Sequence, residues 1–267
     1  MTLGDRPLPS TKPECAKLSG AADGKLEMKA SARLNLRILG GFEARLEPGS
    51  LLVLPTKKTQ ALLAYLALPV GRPHPREKVA SLLWGDMPDT QARGNLRQAL
   101  ARIRKVLPRP ADRVLMFDER NVALNAALVD VDVARFEGLV ANGAPKALGQ
   151  AAVLYQGDLL SGLTVGERAF EDWLVSERER LHELALQALA RLLVHQQKSG
   201  EAETAIQTGL RLLALDPLQE AVHRAVIGLY ARLGRREAAL RQYQLCVDAL
   251  KRELSTQPEA ETTQLYQ

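Results

Sequence analysis

Residues 33–39 (RLNLRIL) alternate, with Leu34, Leu36 and Ile38 sharing one face, and this period of two predicts a strand. Gly40-Gly41 then reads as a turn, Phe42–Leu46 alternates again, Pro48-Gly49 turns, and Leu51–Leu54 supplies a third short strand. The period then changes to that of a helix. Thr56 has the chemistry of an N-cap before Lys57–Leu68, whose Leu62, Leu63, Tyr65 and Leu66 form an apolar side. Pro69, Gly71 and Pro73 stop that helix. Pro75 starts a second, which runs to Trp84 with Val79, Leu82 and Leu83 inward. A third helix is expected over residues 90–107 and ends at Pro108. Arg113–Phe117, the turn Asp118–Asn121 and Val122–Leu124 then read as a hairpin. Strands, three helices and a hairpin follow each other in the order of a winged helix-turn-helix.

Beyond Asp130 the pattern is purely helical. Asp132 is placed to cap a helix at Val133–Val140, another helix covers Pro145–Tyr155, and a long one covers Glu167–Lys198, with Trp173, Leu174, Leu181, Leu184 and Leu189 as core candidates. A repeat follows: Gly200 and Gly234, Ala205 and Ala239, Ile206 and Leu240, and Leu193 and Ile227 are each 34 residues apart. That period belongs to tetratricopeptide (TPR) helix pairs, with the glycines at the turns and the alanines where helices pack closely. The fold class is therefore mainly α with a small β component. Three segments are expected: a disordered N-terminal arm (residues 1–30), a winged helix-turn-helix domain (31–127) and an all-α TPR-like domain (128–267).

Charge sharpens this division. Residues 29–128 hold 17 basic and 8 acidic side chains, whereas residues 129–267 hold 15 basic and 19 acidic. The first half is the candidate polyanion binder. On a helical wheel the third helix turns Leu96, Leu100, Ile103 and Leu107 to one side and Gln91, Asn95, Gln98, Arg102 and Lys105 to the other, with Arg93, Arg97 and Arg104 on the flank. Asn and Gln can pair with adenine and Arg with guanine in a major groove, while Lys and the flanking arginines can neutralise phosphates. Arg120 at the hairpin tip is placed for a phosphate or a minor groove. Such a polar face also suits a merely solvated helix; its place in the winged-helix order favours DNA.

The run LPTKKTQALLAYLAL, the LLWGD containing Leu83-Trp84, and ARGNLRQALARIRKVL make residues 33–125 resemble the winged helix of OmpR-like transcription regulators, most nearly that of the antibiotic-regulatory SARP family. Residues 130–266 look like the bacterial transcriptional activation domain that follows it in those activators, through DVDVARFEGLV, LYQGDLLSGL, FEDWLVSERERL and ALDPLQEAVHRAVIGLYARLGRREAALRQYQ. The family tail usually reads Glu-Leu-Gly; here it is Glu253-Leu254-Ser255. The resemblance implies an activator that binds promoter repeats in double-stranded DNA through residues 90–107 and recruits RNA polymerase, with Trp84 mainly in the core. A protein partner or self-association through the TPR-like half, and a cytoplasmic, nucleoid-associated location, accompany that expectation. A repressor or ligand-responsive regulator with the same reader, and a TPR-like interaction scaffold, stand as alternatives.

Enzyme chemistry finds little support. No GxxxxGK[ST], GxGxxG or HExxH motif occurs, and His74, His182, His195 and His223 share no metal-ligand spacing. Glu171-Asp172 are adjacent and point to different helix faces. Cys15 and Cys246 lack CxxC spacing and are expected to be unpaired. No catalytic residue, metal or cofactor is expected. The longest apolar stretch, Ala61–Val70, is too short for a membrane span, and the N-terminus lacks the apolar core of a secretion signal.

Overall fold

The computed structural model describes residues 33–107 and 111–265. The expected N-terminal arm and Cys15 lie outside the described residues. The alternating segments form β1 (Leu34–Arg37), β2 (Glu43–Leu46) and a two-residue β3 (Ser50–Leu51). Leu34, Leu36, Ala44 and Leu46 are buried, so the alternation sets which face packs on the core. Helix α1 (Lys57–Leu66) starts as its sequence dictates. The Thr59 amide donates to Thr56 Oγ1 at 3.2 Å, and the Thr56 amide donates to Thr59 Oγ1 at 3.2 Å, a reciprocal cap that satisfies the first turn.

A short strand, β4 (His74–Pro75), precedes α2 (Arg76–Trp84) and α3 (Asp89–Val106). A 3-10 turn (Ala111–Val114), β5 (Leu115–Phe117) and β6 (Asn121–Leu124) complete the winged helix. The strand β4 is an element the periodicity does not reveal: two residues show no alternation, yet His74 pairs with Val122 and Pro75 with Asn121, giving a three-stranded wing sheet in the order β4-β6-β5.

The junction between the halves is not a linker. Residues Val129–Val131 form β7, which pairs in parallel with β1, so the first sheet runs β3-β2-β1-β7. Helix α4 (Asp132–Asn142) follows directly. Asp132 differs from the cap the sequence suggests. The N-cap is Val131, and one Asp132 carboxylate oxygen accepts from the Ile38 and Leu39 amides at 2.8 and 2.9 Å, while the other accepts from Val133 at 2.8 Å. Burial pushes the Asp132 carboxyl above its ordinary value and outweighs the backbone donors of Leu39, Ile38 and Val133, which pull it down. Past β1, the Leu160 amide donates to the Ile38 carbonyl at 2.8 Å and the Gly40 amide to Asp158 at 3.0 Å.

Two further ties join the halves. Glu167, 7% exposed, accepts from Lys58 Nζ at 2.5 Å, and the Tyr65 ring meets Trp173 edge-on at 5.0 Å. Trp84 is buried as expected, with the Lys58 ammonium 5.5 Å from its ring centroid. Buried side chains of both halves form one continuous core.

The remaining helices are α5 (Pro145–Leu154), the long α6 (Arg168–Lys198), α7 (Ala202–Leu215), α8 (Glu220–Arg232), α9 (Arg236–Leu254) and α10 (Ala260–Gln264). Gly200 and Gly234 have φ of +76° and +70°, the left-handed turn their shared repeat position requires. Ile206 is buried but its repeat partner Leu240 is 40% exposed. Among the described residues no further helix pair follows α9 to cover it. On α7, a Cβ added to Gly209 would stand 2.5 Å from Val226 of α8, so glycine lets these two helices approach. Cys246 is buried, and burial pushes its thiol up to about 11. Among the described residues no helix is long and apolar enough to cross a membrane.

Candidate nucleic-acid interface

Helix α3 buries Ala92, Leu96, Ala99, Leu100 and Ile103 and is fixed by packing on α1 and α2. That leaves its outer surface committed to solvent. Gln91, Gln98, Arg102 and Lys105 are exposed along it, and Arg93, Arg97 and Arg104 are exposed on the flank. The only carboxylate in α3 is Asp89, in the first turn, where it complements the helix dipole. Gly94 meets nothing that a Cβ would disturb.

Asn95 sits apart from this set. It is half-buried, and its amide donates to the Met87 sulfur at 3.1 Å, which turns it toward the loop between α2 and α3. Wheel geometry alone places it with Gln98 and Arg102; the loop contact is a tertiary effect the wheel cannot register.

The wing tip is a rigid turn. Asp118 Oδ1 accepts from the Arg120 and Asn121 amides at 2.7 and 2.6 Å, and the Asn121 and Arg120 amides hold the Asp118 carboxyl below its ordinary value. This projects the exposed Arg120 side chain. Arg104 lies over the Phe117 ring at 5.1 Å, bracing the far end of α3 against β5. Arg76 ties the wing turn to the start of α2: its amide donates to the Arg120 carbonyl at 2.8 Å and its Nη1 to the Asp118 carbonyl at 3.1 Å.

A cleft of about 660 Å³ lies between α3 and the wing. Arg93, Arg97 and Arg120 converge there, joined by Arg76 and by the carboxylates of Glu77 and Glu119. Arg93 Nη2 donates to Glu77 Oε1 at 2.8 Å, with both side chains exposed. The sequence reading misses Arg76, Glu77 and Glu119. Arg76 follows Pro75 at a helix start, and only the unpredicted β4–β6 pairing carries it to the wing. Among the described residues no group of three or more His, Cys, Asp or Glu side chains could hold a metal ion.

A winged helix with a cationic third helix and wing, fused through a shared sheet to a stack of paired helices, is the architecture of a two-part regulator. The bacterial transcriptional activator domain matches residues 131–267, just over half of the chain, and the chain belongs to this family, that of the SARP-type transcriptional activators. Regulatory protein AfsR of Streptomyces coelicolor is 29% identical over 254 residues, which cover 90% of this chain and 24% of AfsR. The chain thus spans about a quarter of that relative's length. Mycobacterium tuberculosis EmbR, solved in complex with a low-affinity phosphopeptide, has the same fold at a TM-score of 0.64 and 21% identity, over 88% of this chain and 64% of that one.

Proposed function

We propose that this regulator reads double-stranded promoter DNA in the cytoplasm, with α3 in the major groove and the wing on the adjacent backbone, and that it activates by holding RNA polymerase at the promoter. The carrying observation is the outer surface of α3. Gln91, Gln98 and Arg102 offer base-reading chemistry, and Arg93, Arg97, Lys105 and Arg120 offer phosphate neutralisation, with no carboxylate in the helix beyond its first turn. Recruitment of polymerase draws its support from the family of activators to which the chain belongs, not from a residue pattern. The AfsR likeness, to a protein named as regulatory, supports the same reading.

Selection from a random double-stranded DNA library tests this, with wild type and a Gln98→Ala/Arg102→Ala variant at two salt concentrations. One enriched motif is expected, lost in the variant. Four phosphate contacts give a log–log salt slope of about −3 to −4. Salt-sensitive binding without a motif would reduce the surface to a nonspecific basic patch, and no binding at either salt would remove the DNA-reading function.

A further inference from the structure

The hairpin of α4 and α5 carries a trough of about 830 Å³ that the DNA reading does not use. Its walls are apolar: Leu139 of α4 faces Val153 and Leu154 of α5, and Val153 is 66% exposed. Its only charged lining groups are two cations, Arg135 and Lys146. Arg135 contacts Asp130 through Nε at 3.4 Å, and among the described residues Lys146 makes no ion pair. Arg135 lies in the first turn of α4 and Lys146 in the first turn of α5, just past the loop that joins the two helices.

Gly138 and Gly149 also line it, one in the middle of each helix. Neither has a left-handed φ, and a Cβ at either would meet nothing within 4 Å. Glycine weakens a helix interior and is retained where backbone must come close to something. Gly209 shows that use inside this fold, against Val226; Gly138 and Gly149 have no such neighbour in the chain. Both instead leave bare backbone on the trough surface, open to a ligand. A concave apolar volume of this size with a few convergent polar groups has the form of a small-molecule site.

We propose that this trough binds a monomeric amphipathic anion, an acyl or aryl carboxylate whose apolar body lies over Gly138 and Gly149 and whose charged head meets Arg135 or Lys146. The absence of any carboxylate in the lining, together with Lys146 lacking an ion-pair partner among the described residues, selects the sign of the head. The site is separate from α3 and the wing, so the proposal does not depend on DNA binding.

The test uses the full chain and the fluorescent probe 1-anilinonaphthalene-8-sulfonate, an aryl body with one anionic group. Saturable one-site binding is expected, displaced by decanoate below its micelle concentration and not by decyltrimethylammonium. Gly149→Leu and Gly138→Leu put side chains into the trough from positions where a Cβ meets nothing, and replace glycine by a better helix former, so their urea unfolding midpoints should be no lower than wild type. Probe and decanoate binding should nevertheless fall at least tenfold in these variants, and severalfold in Arg135→Gln/Lys146→Gln. No probe binding by the wild type, binding retained in both leucine variants, or equal displacement by the cationic amphiphile would each overturn the proposal. Sedimentation with anionic phospholipid vesicles in the absence of decanoate binding would also overturn it, by making the occupant a membrane surface.

Discussion

Asp132 and Glu77 are both carboxylates that meet neighbouring elements, and the two regions around them treat charge in opposite ways. At the junction of the halves, Asp132 is 4% exposed and its two oxygens accept from three backbone amides, while Glu167 is buried against Lys58. On the α3–wing surface, Glu77 and Arg93 pair with side chains 75% and 57% exposed, and among the described residues most of the neighbouring cations have no carboxylate against them. Charge at the junction is spent on structure, because a buried donor without an acceptor is costly. Charge on the surface adds little to stability, since water and salt screen it, and stays available to a ligand. The same residue types therefore carry different jobs according to how completely the fold satisfies them.

The largest effect should come from the junction. Asp132→Ala strands the Ile38 and Leu39 amides in a dry site and loosens the attachment of β1 to α4. With the Val133 amide, three buried donors lose their acceptor, which predicts a loss of about 3–5 kcal/mol, read as a lower urea midpoint. A loss below about 1 kcal/mol would mean that the β1–β7 pairing, the Lys58–Glu167 pair and the shared core hold the halves together without Asp132, and the contrast with the surface would collapse. Next in size is Gly209→Ala in the repeat stack. Its Cβ would stand 2.5 Å from Val226, so overpacking between α7 and α8 should cost about 1–3 kcal/mol in the same measurement.

A smaller effect follows from two buried histidines. His223 Nδ1 accepts from Gln242 Nε2 at 2.8 Å and Nε2 donates to the Pro217 carbonyl at 3.1 Å, the arrangement of a neutral ring. Burial lowers both His223 and His74 below 6.5. The native state then takes up protons less readily than the unfolded chain, so stability is full above 6.5 and is lost as pH falls through the lowered native values. Asp132 works in the opposite sense, its raised carboxyl favouring the native state on acidification. Comparing wild type with His223→Gln isolates the histidine. Between about pH 7.5 and 5.5 the variant should lose less stability than wild type, read as a smaller drop in urea midpoint. Equal losses in the two would remove His223 from the acid response.

Much of the fold is legible in the sequence because it rests on local signals. Alternation marks β1 and β2, Thr56 marks the start of α1, and the spacing of Gly200 and Gly234 marks the repeat turns. What escapes is carried by contacts distant in sequence. β4 and β7 are strands only because β6 and β1 lie beside them, and Asp132 looks like a cap until Ile38 and Leu39 reach it across 94 and 93 residues. Ser255 shows a local signal of a different kind. It adopts φ +56° where the family's usual glycine meets the left-handed end of α9 without strain. At the candidate interface, periodicity finds the α3 residues, and the wing pairing adds Arg76, Glu77 and Glu119.

The smallest stability effect is the sharpest test of the contrast. Glu77→Gln removes an exposed ion-pair partner from Arg93, which should change stability by less than about 0.5 kcal/mol. If the cleft between α3 and the wing receives a phosphate backbone, that carboxylate opposes it twice, by occupying Arg93 and by repelling the anion. One unit charge removed near a phosphate in water is worth about 1 kcal/mol, or roughly a fivefold gain in affinity. The gain should be largest on random DNA at low salt and shrink as the Debye length falls to about 8 Å at physiological ionic strength. A carboxylate whose removal leaves folding intact and tightens DNA binding is the reverse of Asp132. Unchanged or weaker binding in Glu77→Gln would instead make the Arg93–Glu77 pair a device that positions α3 on α2, and would move the phosphate path away from this cleft toward Arg102 and Lys105.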